Sequence, residues 1–461
     1  VTRPHPHPTQ YARSRPSTYT TGSCCETDHL FGASSSPTSH LHTSRMLGSQ
    51  FFRSTLRRGL PLMRRARRGF CFGGDSSRPA LTTRTEEQEM LCESVSKFCQ
   101  ANIAPHVEQM DRDGKLAPHV LPKLFEEGLM GIEIPAEYGG TDMAFTDAIL
   151  TIEEIAKVDP AIAVIVDIQN TLINLIFLQW ASEDLKQKWL PKLATDTLAS
   201  FCLSESSSGS DAFALKTTAT KIDGGYRING NKLWISNAAE AGVFIVFANV
   251  NPEAGYKGIT AFVVEAGTKG LTIGKKEDKL GIRASSTCEL AFEDMEVSDD
   301  CILGEVGVGY RIAIETLNPG RIGIGAQMIG LAQGAFDNAM KYMLERKQFG
   351  KPIADFQGLE FAYAQAQTEI EAARLLVLNA AALRENDQPY IKQAAFAKLY
   401  SAQVAQKVAS VAVEWMGGVG FTKEYPLEKF YRDAKIGSIY EGTSNIHLQT
   451  IAKLIKAEYG S

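Results

Sequence analysis

The chain has 461 residues, of which 44% are hydrophobic and 22% charged, and these values are ordinary for a globular protein in water. Its length allows about three domains of roughly 150 residues each, or one large multi-part enzyme subunit. The formal net charge of −5 at pH 7 argues against nucleic acid as the main partner.

The first 80 residues differ in composition from the rest of the chain. They contain twelve Arg, no Lys and three acidic residues. Residues 46–71 read MLGSQFFRSTLRRGLPLMRRARRGFC, an Arg-rich, acid-free composition that is typical of an organellar transit peptide. We expect residues 1–80 to be a disordered or transit segment, with Met46 as the true start and residues 1–45 upstream of it. The alternative is a basic disordered tail that binds anionic surfaces.

The sequence lacks the patterns of a metal site, a disulfide framework and a membrane span. Eight Cys are scattered without a CxxC pair or a Cys/His group at zinc spacing, so the sequence supports neither a metal site nor a disulfide framework. The most apolar run, residues 162–180, is interrupted by Asp167, Gln169 and Asn170. We expect a buried helix there and no membrane span.

Residues 81–198 have the pattern of an N-terminal helical domain. Thr85 and Gln88 have the spacing of a capping pair at the start of a periodic segment that ends at residue 102. Residues 145–157 and 160–180 predict two long helices with apolar faces.

Residues 199–305 change to a β pattern. Short β-rich runs alternate with turn residues at positions 226–228, 243–250, 259–264 and 271–274, and Asn229-Gly230 is predicted to be a turn. Their spacing predicts a compact antiparallel barrel or sandwich. Because βαβ alternation is lacking, we expect no parallel nucleotide-binding sheet.

Residues 306–461 return to helical periodicity. Long helices are predicted at about residues 311–347, 356–386, 391–415, 427–434 and 444–459. Long helices with short connections indicate a four-helix bundle, and their Ala-rich faces suit close packing, including contacts between subunits.

One carboxylate, Glu441, lies in the segment YEGTSN at residues 440–445. Gly442 allows the backbone to approach a ligand closely. Thr443, Ser444 and Asn445 are good N-cap residues for the helix that follows. Glu441 is therefore expected on a loop just before a helix, where it could be a catalytic base or an ordinary capping acid.

Other segments also allow a functional and a structural interpretation. The segment FCLSESSSGSD at residues 201–211 could be a phosphate- or amide-binding turn, or a Ser-rich solvent loop. Trp234 and Ser236 would share one strand face and offer an aromatic plane and a hydroxyl to a flat ligand, or they are a core Trp and an edge Ser.

The same ambiguity holds for two basic residues and one glycine-rich segment. Arg346 and Arg321 could each bind a phosphate or merely complement a helix dipole. The segment EWMGGVG at residues 414–420 could let a cofactor lie on the backbone, or it could be a helix C-cap.

Taken together, these segments resemble the acyl-CoA dehydrogenase family over residues 85–460. The resemblance is carried by SESSSGSD (204–211), NKLWIS (231–236), ERKQFGKP (345–352), EWMGGVG (414–420), RDAKI (432–436) and YEGTSNI (440–446). Three further segments resemble members that act on short, 2-methyl-branched acyl chains: GYKGIT (255–260), LGIRASSTCEL (280–290) and NPGRIGI (318–324).

The resemblance implies a mainly α fold with a central β-barrel domain, flanked by an N-terminal helical domain and a C-terminal four-helix bundle. It implies FAD as the cofactor and Glu441 as the catalytic base. The cofactor-binding residues would be Phe201, Cys202, Leu203, Ser204, Glu205, Ser206, Ser207, Ser208, Gly209, Ser210, Trp234, Ile235, Ser236, Arg346, Gln357, Glu414, Trp415, Met416, Gly417, Gly418, Thr443, Ser444 and Asn445. The substrate-binding residues would be Ser210, Tyr256, Tyr310, Asn318, Pro319, Gly320 and Arg321.

The resemblance also implies a reaction and its partners. The enzyme would introduce a double bond between the α and β carbons of an acyl-CoA thioester such as 2-methylbutyryl- or isobutyryl-CoA. It would pass the electrons to electron-transferring flavoprotein and work as a homotetramer in the mitochondrial matrix. The backbone N–H of Glu441 would help to polarise the thioester carbonyl.

The chain departs from the family pattern at two places. Ser206 and Ser208 stand where many members have Pro and Ala, which bears on the rigidity of that loop. Gly320 stands where the isovaleryl type carries its base, and this disfavours that type. The alternatives are a straight short-chain acyl-CoA dehydrogenase, an acyl-CoA oxidase, or a non-enzymatic flavin-binding scaffold, because fold alone does not fix function.

Overall fold

The computed structural model describes residues 80–460. The predicted transit segment and the expected start at Met46 lie outside the described residues. The chain from residue 80 onward forms a helical region, a β-sheet and a second helical region, in the order that the sequence predicts.

The N-terminal helical region contains six helices. They are α1 (Glu86–Asn102), α2 (Val107–Asp113), α3 (Val120–Glu126), α4 (Phe145–Ala156), α5 (Pro160–Trp180) and α6 (Glu183–Thr195). The predicted capping box at the start of α1 is present: the Gln88 N–H donates to the Thr85 hydroxyl and the Thr85 N–H donates to the Gln88 side chain, both at 3.2 Å. The capping residues thus fix where α1 begins.

Helix α5 is the buried helix that the sequence predicts. Within residues 80–460 it is the one helix long and apolar enough to cross a membrane. Its most apolar stretch of 18 residues is 94% buried inside the protein. Its middle, Ile168–Asn174, winds as a π-helix. π-Helical turns are rare and occur frequently at functional sites.

The amide side chains of this π-helix hold neighbouring backbone in place. Asn170 donates to the Leu129 carbonyl and accepts from the Ile132 N–H, each at 2.9 Å. Gln169 accepts from the N–H of Ala199, the first residue of the sheet, at 3.1 Å. The polar residues that interrupt the apolar run are therefore satisfied hydrogen-bonding groups, as burial requires.

The middle region is an eight-stranded sheet. Its strands are β1 (Ala199–Cys202), β2 (Thr218–Ile222), β3 (Gly225–Ser236), β4 (Val243–Asn249), β5 (Ile259–Glu265), β6 (Leu271–Lys276), β7 (Thr287–Ser298) and β8 (Ile302–Leu303). The order is β6-β7-β3-β2-β4-β5-β8, and β1 pairs with β4 in parallel.

The prediction of a closed barrel is wrong, because β6 and β8 end the order of this sheet. Strand β6 is largely exposed and β8 has two residues, so neither offers a long apolar edge for closure. The purely antiparallel prediction is also wrong, since β1 and one residue pair of β2 lie parallel to β4.

Strand β4 is buried on both faces. Phe244 and Val246 pack into the core of the sheet region, whereas Ile245 and Phe247 pack into the core shared with the helices. Because side chains alternate along a strand, β4 joins the two cores.

The predicted turn at Asn229-Gly230 is wrong as well, since both residues lie inside β3. A register shift between β3 and β7 marks a β-bulge there, and Gly230 has a φ of +145°. A Cβ at Gly230 would come within 2.6 Å of the Thr217 side chain. The glycine is thus needed for a bulge and a close approach, which give the same sequence signal as a turn.

The C-terminal region contains the predicted bundle. Its helices are α7 (Gly309–Glu345), α8 (Gln357–Glu385), α9 (Ile391–Met416), α10 (Leu427–Ala434) and α11 (Ser444–Tyr459), with a short hairpin of β9 (Lys347–Gln348) and β10 (Lys351–Pro352) after α7. Gly330 and Gly334 let α7 lie against α4, because a Cβ at either would approach a carbonyl oxygen of the α4 segment within 2.2 Å.

A buried charge cluster joins all three regions. Lys429 of α10 contacts Asp159, the N-cap of α5, at 2.8 Å and Asp433 of α10 at 2.6 Å. Asp433 also accepts from the N–H of Ile282, in the loop before β7, at 2.6 Å. Burial lowers the pKa of Lys429, but the two carboxylates outweigh it and hold the pKa above its ordinary value. The ammonium therefore stays charged and is shared between two buried acids.

We expect Lys429→Met to destabilise the fold strongly. The substitution leaves two carboxylates buried without a cation, which costs about 3–5 kcal/mol in comparable buried pairs. Chemical unfolding followed by circular dichroism measures the loss. Lys97→Met, which removes an exposed pair with Glu93, is the matched control and should change stability by less than about 1 kcal/mol. Equal effects of the two substitutions would contradict the structural role given to Lys429.

Candidate functional site

Glu441 lies on the short loop before α11, as predicted. Thr443 caps the helix by accepting from the Ile446 N–H at 3.3 Å. Glu441 has a φ of +51° and Gly442 a φ of +87°. The left-handed region is easy for Gly442 but unfavourable for Glu441, and such conformations are kept mostly where function requires them.

Lys398 of α9 binds the backbone of this loop. Its ammonium group donates to the carbonyls of Tyr440 and Gly442, both at 2.7 Å, and its side chain is fully buried. The sequence prediction missed Lys398. A signal was present, since Lys398 continues the apolar stripe of Ala394, Ala395 and Ala402, where a lysine is out of pattern.

The carboxyl end of Glu441 is buried, although the residue as a whole is half-buried. Among the residues that the structure describes, none forms a hydrogen bond with its Oε2 atom. Burial raises the pKa of Glu441 to about 7, while the positive charges of Arg321 and Lys398 act to lower it. A carboxylate of this kind can accept a proton near neutral pH.

Gly320 of α7 leaves the space in which this carboxylate lies. A Cβ there would be 3.1 Å from Glu441 Oε2 and 2.6 Å from Leu172 Cδ2. Hydrogen bonds hold the side chains near Gly320 in place. Arg321 donates to the Asn318 side chain at 2.9 Å, and Asn318 donates to the Ile314 carbonyl at 3.1 Å. The structure thus brings the predicted base beside the predicted substrate segment 318–321.

Several buried polar residues around Glu441 were not predicted. Asp167 accepts from the Thr171 hydroxyl at 2.9 Å, and burial followed by the charge of Glu441 raises its pKa well above the ordinary value. The Tyr440 hydroxyl donates to Gln327, whose side chain donates to the Pro160 carbonyl at 2.7 Å. These contacts tie the loop to α5 and α7.

His447 of α11 is also buried beside the loop. In the part of the chain that the structure describes, neither ring nitrogen has a hydrogen-bond partner. Burial lowers its pKa to about 3, so the ring is neutral at physiological pH. Nothing in the sequence pattern distinguishes this residue from an exposed helical histidine.

The predicted flavin segment begins at the end of β1 and is shaped by an internal ion pair. Glu205 and Ser208 exchange backbone hydrogen bonds at 3.0 and 3.1 Å, which closes a tight turn. The Glu205 carboxylate binds Lys232 at 2.7 Å and accepts from the Lys216 N–H at 2.6 Å. Both its side chain and its backbone N–H are therefore used within the protein.

Side chains of this segment divide into buried and accessible ones. Cys202 packs into the sheet core and Leu203 into the helical core. The accessible residues are Ser206, Ser207, Gly209 and Ser210. The sequence prediction did not separate these two groups.

Trp234 has an unusual conformation for a strand residue. It is 60% exposed and has a φ of +63°, and it lies where a second register shift interrupts the pairing of β3 with β7. Strained backbone of this kind is most often kept where function requires it. That Trp234 and Ser236 offer one strand face to a flat ligand stays a prediction.

The remaining predicted cofactor residues lie at helix ends of the bundle. Arg346 ends α7 and Gln357 begins α8, and both are exposed. Gly417 ends α9 with a φ of +64°, and a Cβ at Gly417 or Gly418 would meet nothing within 4 Å. Trp415 and Met416 are buried, whereas Glu414 is exposed.

Two predicted substrate residues lie in contact. The rings of Tyr256 and Tyr310 meet edge to face with centroids 4.9 Å apart, and Phe213 packs on Tyr310 at 6.4 Å. Tyr256 remains 48% exposed. This cluster offers an aromatic wall at the start of α7, the helix that also carries Gly320.

Comparison with known protein families gives three consecutive matches. The acyl-CoA dehydrogenase N-terminal domain matches residues 85–197, the middle domain matches residues 200–295, and the C-terminal domain matches residues 307–456. Together they span most of the described chain.

Individual proteins agree with the family matches. The mitochondrial short/branched chain specific acyl-CoA dehydrogenase of Rattus norvegicus is 56% identical over 379 residues, which cover 82% of this chain and 88% of the rat protein. A probable short/branched chain specific acyl-CoA dehydrogenase of Dictyostelium discoideum is 58% identical over 376 residues, covering 81% and 91%. Butyryl-CoA dehydrogenase from Megasphaera elsdenii superimposes with a TM-score of 0.80 at 38% identity, covering 81% of this chain and 99% of that one.

We expect Gly320→Ala to destabilise the protein although alanine favours helices over glycine. Overpacking typically costs about 1–3 kcal/mol, which meets or exceeds the gain in helix propensity of about 1 kcal/mol. Gly358→Ala, in open space on α8, is the control and should be neutral or stabilising. Thermal unfolding of both variants measures the difference. A stabilised Gly320→Ala variant would show that the space beside Glu441 is not needed.

Proposed function

The chain belongs to the acyl-CoA dehydrogenase family, and we propose that it is an FAD-dependent enzyme that oxidises short, 2-methyl-branched acyl-CoA thioesters. The reaction removes a proton from the α carbon and a hydride from the β carbon. The observation that carries the proposal is the buried Glu441 carboxylate beside Gly320, facing the segment that the substrate would contact.

Glu441 is the group that takes the α-proton. Its Oε2 atom has no hydrogen-bond partner within residues 80–460, so a lone pair is free to accept the proton. Its pKa of about 7 makes it a stronger base than an exposed glutamate and leaves it partly ionised at neutral pH. The backbone N–H of Glu441 helps to hold the thioester carbonyl, on which negative charge develops.

The residues around Trp234 fit a flavin. An exposed aromatic plane, the hydroxyls of Ser206, Ser207 and Ser210, and open space at Gly209 suit a flat, polar-edged ring system. When bound, FAD supplies the acceptor for the β-hydride. Thr443, Ser444 and Asn445 would complete the site on the side of the base.

We assign Tyr256 and Tyr310 to acyl-CoA binding, with Asn318, Pro319, Gly320 and Arg321 beside the reacting carbons. The preference for 2-methylbutyryl- and isobutyryl-CoA is supported by the names of the rat and Dictyostelium relatives. An isovaleryl preference is disfavoured, because a base at position 320 would be needed and glycine stands there.

We further propose a homotetramer in which Arg346, Gln357 and the segment 414–418 serve the FAD of a neighbouring subunit. Exposed aromatic residues beside these positions support it: Phe349 is 95% exposed and Phe421 is 85% exposed. Electron-transferring flavoprotein would accept the electrons, and the mitochondrial matrix would be the location. We also propose domain divisions at residues 81–198, 199–305 and 306–461.

We expect Glu441→Gln to keep its FAD but to lose the bleaching of the flavin spectrum on addition of 2-methylbutyryl-CoA. Removal of a general base lowers the rate by about 10²–10⁴-fold. Glu424→Gln, an exposed acid elsewhere, is the control for the charge change. Stopped-flow absorbance follows the flavin in both variants. Normal bleaching of the flavin in Glu441→Gln would contradict the assignment of Glu441 as the base.

A kinetic panel tests the substrate class. We expect the highest kcat/KM with 2-methylbutyryl- and isobutyryl-CoA, against butyryl-, hexanoyl- and isovaleryl-CoA, by about 10-fold or more, because one methyl group is worth about 1–3 kcal/mol. Electron-transferring flavoprotein serves as the acceptor. An isovaleryl or hexanoyl optimum would contradict the substrate proposal, and fast oxygen consumption without an acceptor protein would instead support an oxidase.

A further inference from the structure

We propose that Lys398 is a positioning residue for this reaction: its ammonium group holds the backbone of Glu441 in the left-handed conformation that presents the carboxylate to the substrate. The inference rests on the proposed function of Glu441 and adds a residue from a different helix to it. Lys398 would not touch the substrate.

The hydrogen bonds on either side of Glu441 are the first reason. One Lys398 Nζ atom binds the carbonyl of Tyr440 and the carbonyl of Gly442, each at 2.7 Å. Since these carbonyls belong to the residues before and after Glu441, both are fixed relative to α9. Left-handed backbone at a residue other than glycine costs about 1–3 kcal/mol and persists only when its surroundings impose it. Lys398 supplies that constraint.

The location of Lys398 is the second reason. It is fully buried in a stripe otherwise made of small residues, among them Ala394, Ala395 and Ala402. An apolar residue would suit this stripe better for stability, because a charge is costly to bury. Its two direct acceptors are neutral carbonyls, in contrast to Lys429 and Lys232, which bind carboxylates. A buried cation that donates to the loop of the base is best explained by a role in positioning that loop.

Electrostatics gives Lys398 a second effect on Glu441. The groups that face the carboxylate are Arg321 from α7, Lys398 from α9, Asp167 from α5, and Tyr440 and His447 from the loop and α11. Tyr440 and His447 are neutral near pH 7, because burial raises the pKa of the phenol and lowers that of the imidazole, and burial also raises the pKa of Asp167 well above its ordinary value. Arg321 and Lys398 are therefore the cations that oppose the burial of Glu441 and keep its pKa from rising further.

The sign of the pH effect follows from this arrangement. Glu441 acts as a base when ionised, so kcat/KM of the wild type should rise with pH through about 7 and level off above it. Loss of Lys398 removes a positive charge that favours the ionised carboxylate. The acidic limb, the part of the kcat/KM profile that rises with pH, should therefore move upward by about one pH unit. Burial lowers the pKa of Lys398 itself to about 7, while Glu441 raises it, so the two groups attract each other most near pH 7, where both carry charge.

The test compares Lys398→Met, Lys398→Gln and the matched control Lys407→Met. Methionine is an unbranched side chain of similar size with neither charge nor donors, whereas glutamine keeps two N–H donors without the charge. Lys407 lies on the same helix, is exposed and pairs with Glu369. The full-length flavin-loaded protein is used, with flavin content checked for each variant.

We expect kcat of Lys398→Met to fall by about 10–100-fold, the loss typical of a misplaced catalytic group, with KM little changed. The acidic limb of kcat/KM should move upward in both Lys398 variants, while Lys407→Met should behave as the wild type. A lower unfolding temperature with an unmoved limb and an unchanged kcat would overturn the proposal. If Lys398→Met does not fold, the limb of Lys398→Gln decides the outcome in the same way.

An infrared titration of the ligand-free protein separates this inference from the proposed function. The protonated carboxyl band that disappears in Glu441→Gln is followed against pH in the wild type and in Lys398→Gln. A higher midpoint in Lys398→Gln supports the electrostatic role even if no acyl-CoA is oxidised, and an unchanged midpoint contradicts it. Failure of the wild type to oxidise any short acyl-CoA would count against the proposed function alone.

Discussion

The burial of one carboxylate is the constraint on which the functional region depends. Glu441 lies where Gly320 leaves out a side chain, and a single methyl group at that position would come within 3.1 Å of its Oε2 atom. A buried carboxylate without a contacting cation is costly in any fold. The cost is tolerable because Arg321 and Lys398 lie nearby and because the carboxyl takes up a proton more readily than usual. The same burial that weakens the fold at this point makes Glu441 a base suited to neutral pH.

Buried charges also connect the three regions that supply the site. Lys429 joins the start of α5 to α10, and its partner Asp433 reaches the loop before β7. Lys232 and Glu205 fix the segment after β1, while Gln169 of α5 holds the first residue of that strand. Three of these contacts cross from one region to another: Lys429 with Asp159, Asp433 with the Ile282 N–H, and Gln169 with the Ala199 N–H. The relative placement of α5, α7, α9 and the sheet is therefore set by directional contacts as well as by apolar packing.

The helices and the principal acid were predictable from sequence because their signals are local. The capping pair of Thr85 and Gln88, the N-cap Thr443 and the apolar periodicities gave helix boundaries within a few residues of those observed. The position of Glu441 before α11 followed from the same signals. The structure adds that this loop packs beside Gly320, which lies more than a hundred residues earlier in the chain.

The failed predictions share a physical cause. Asn229-Gly230 has the composition of a turn, but it lies at a bulge that depends on pairing with β7, a partner far away in sequence. Closure of the sheet depends on its end strands, β6 and β8, and local spacing says nothing about whether they meet. Lys398 and His447 were missed because their burial arises from tertiary packing, although the apolar stripe around Lys398 did contain a usable signal.

The most direct test of the central claim is the exchange of the acyl-CoA α-hydrogen with deuterated water, measured by mass spectrometry. The flavin is kept reduced so that hydride transfer cannot occur, and only proton removal by the protein is observed. The wild type should exchange the α-hydrogen of 2-methylbutyryl-CoA, and Glu441→Gln should not. Exchange by Glu441→Gln at the wild-type rate would show that another group removes the proton.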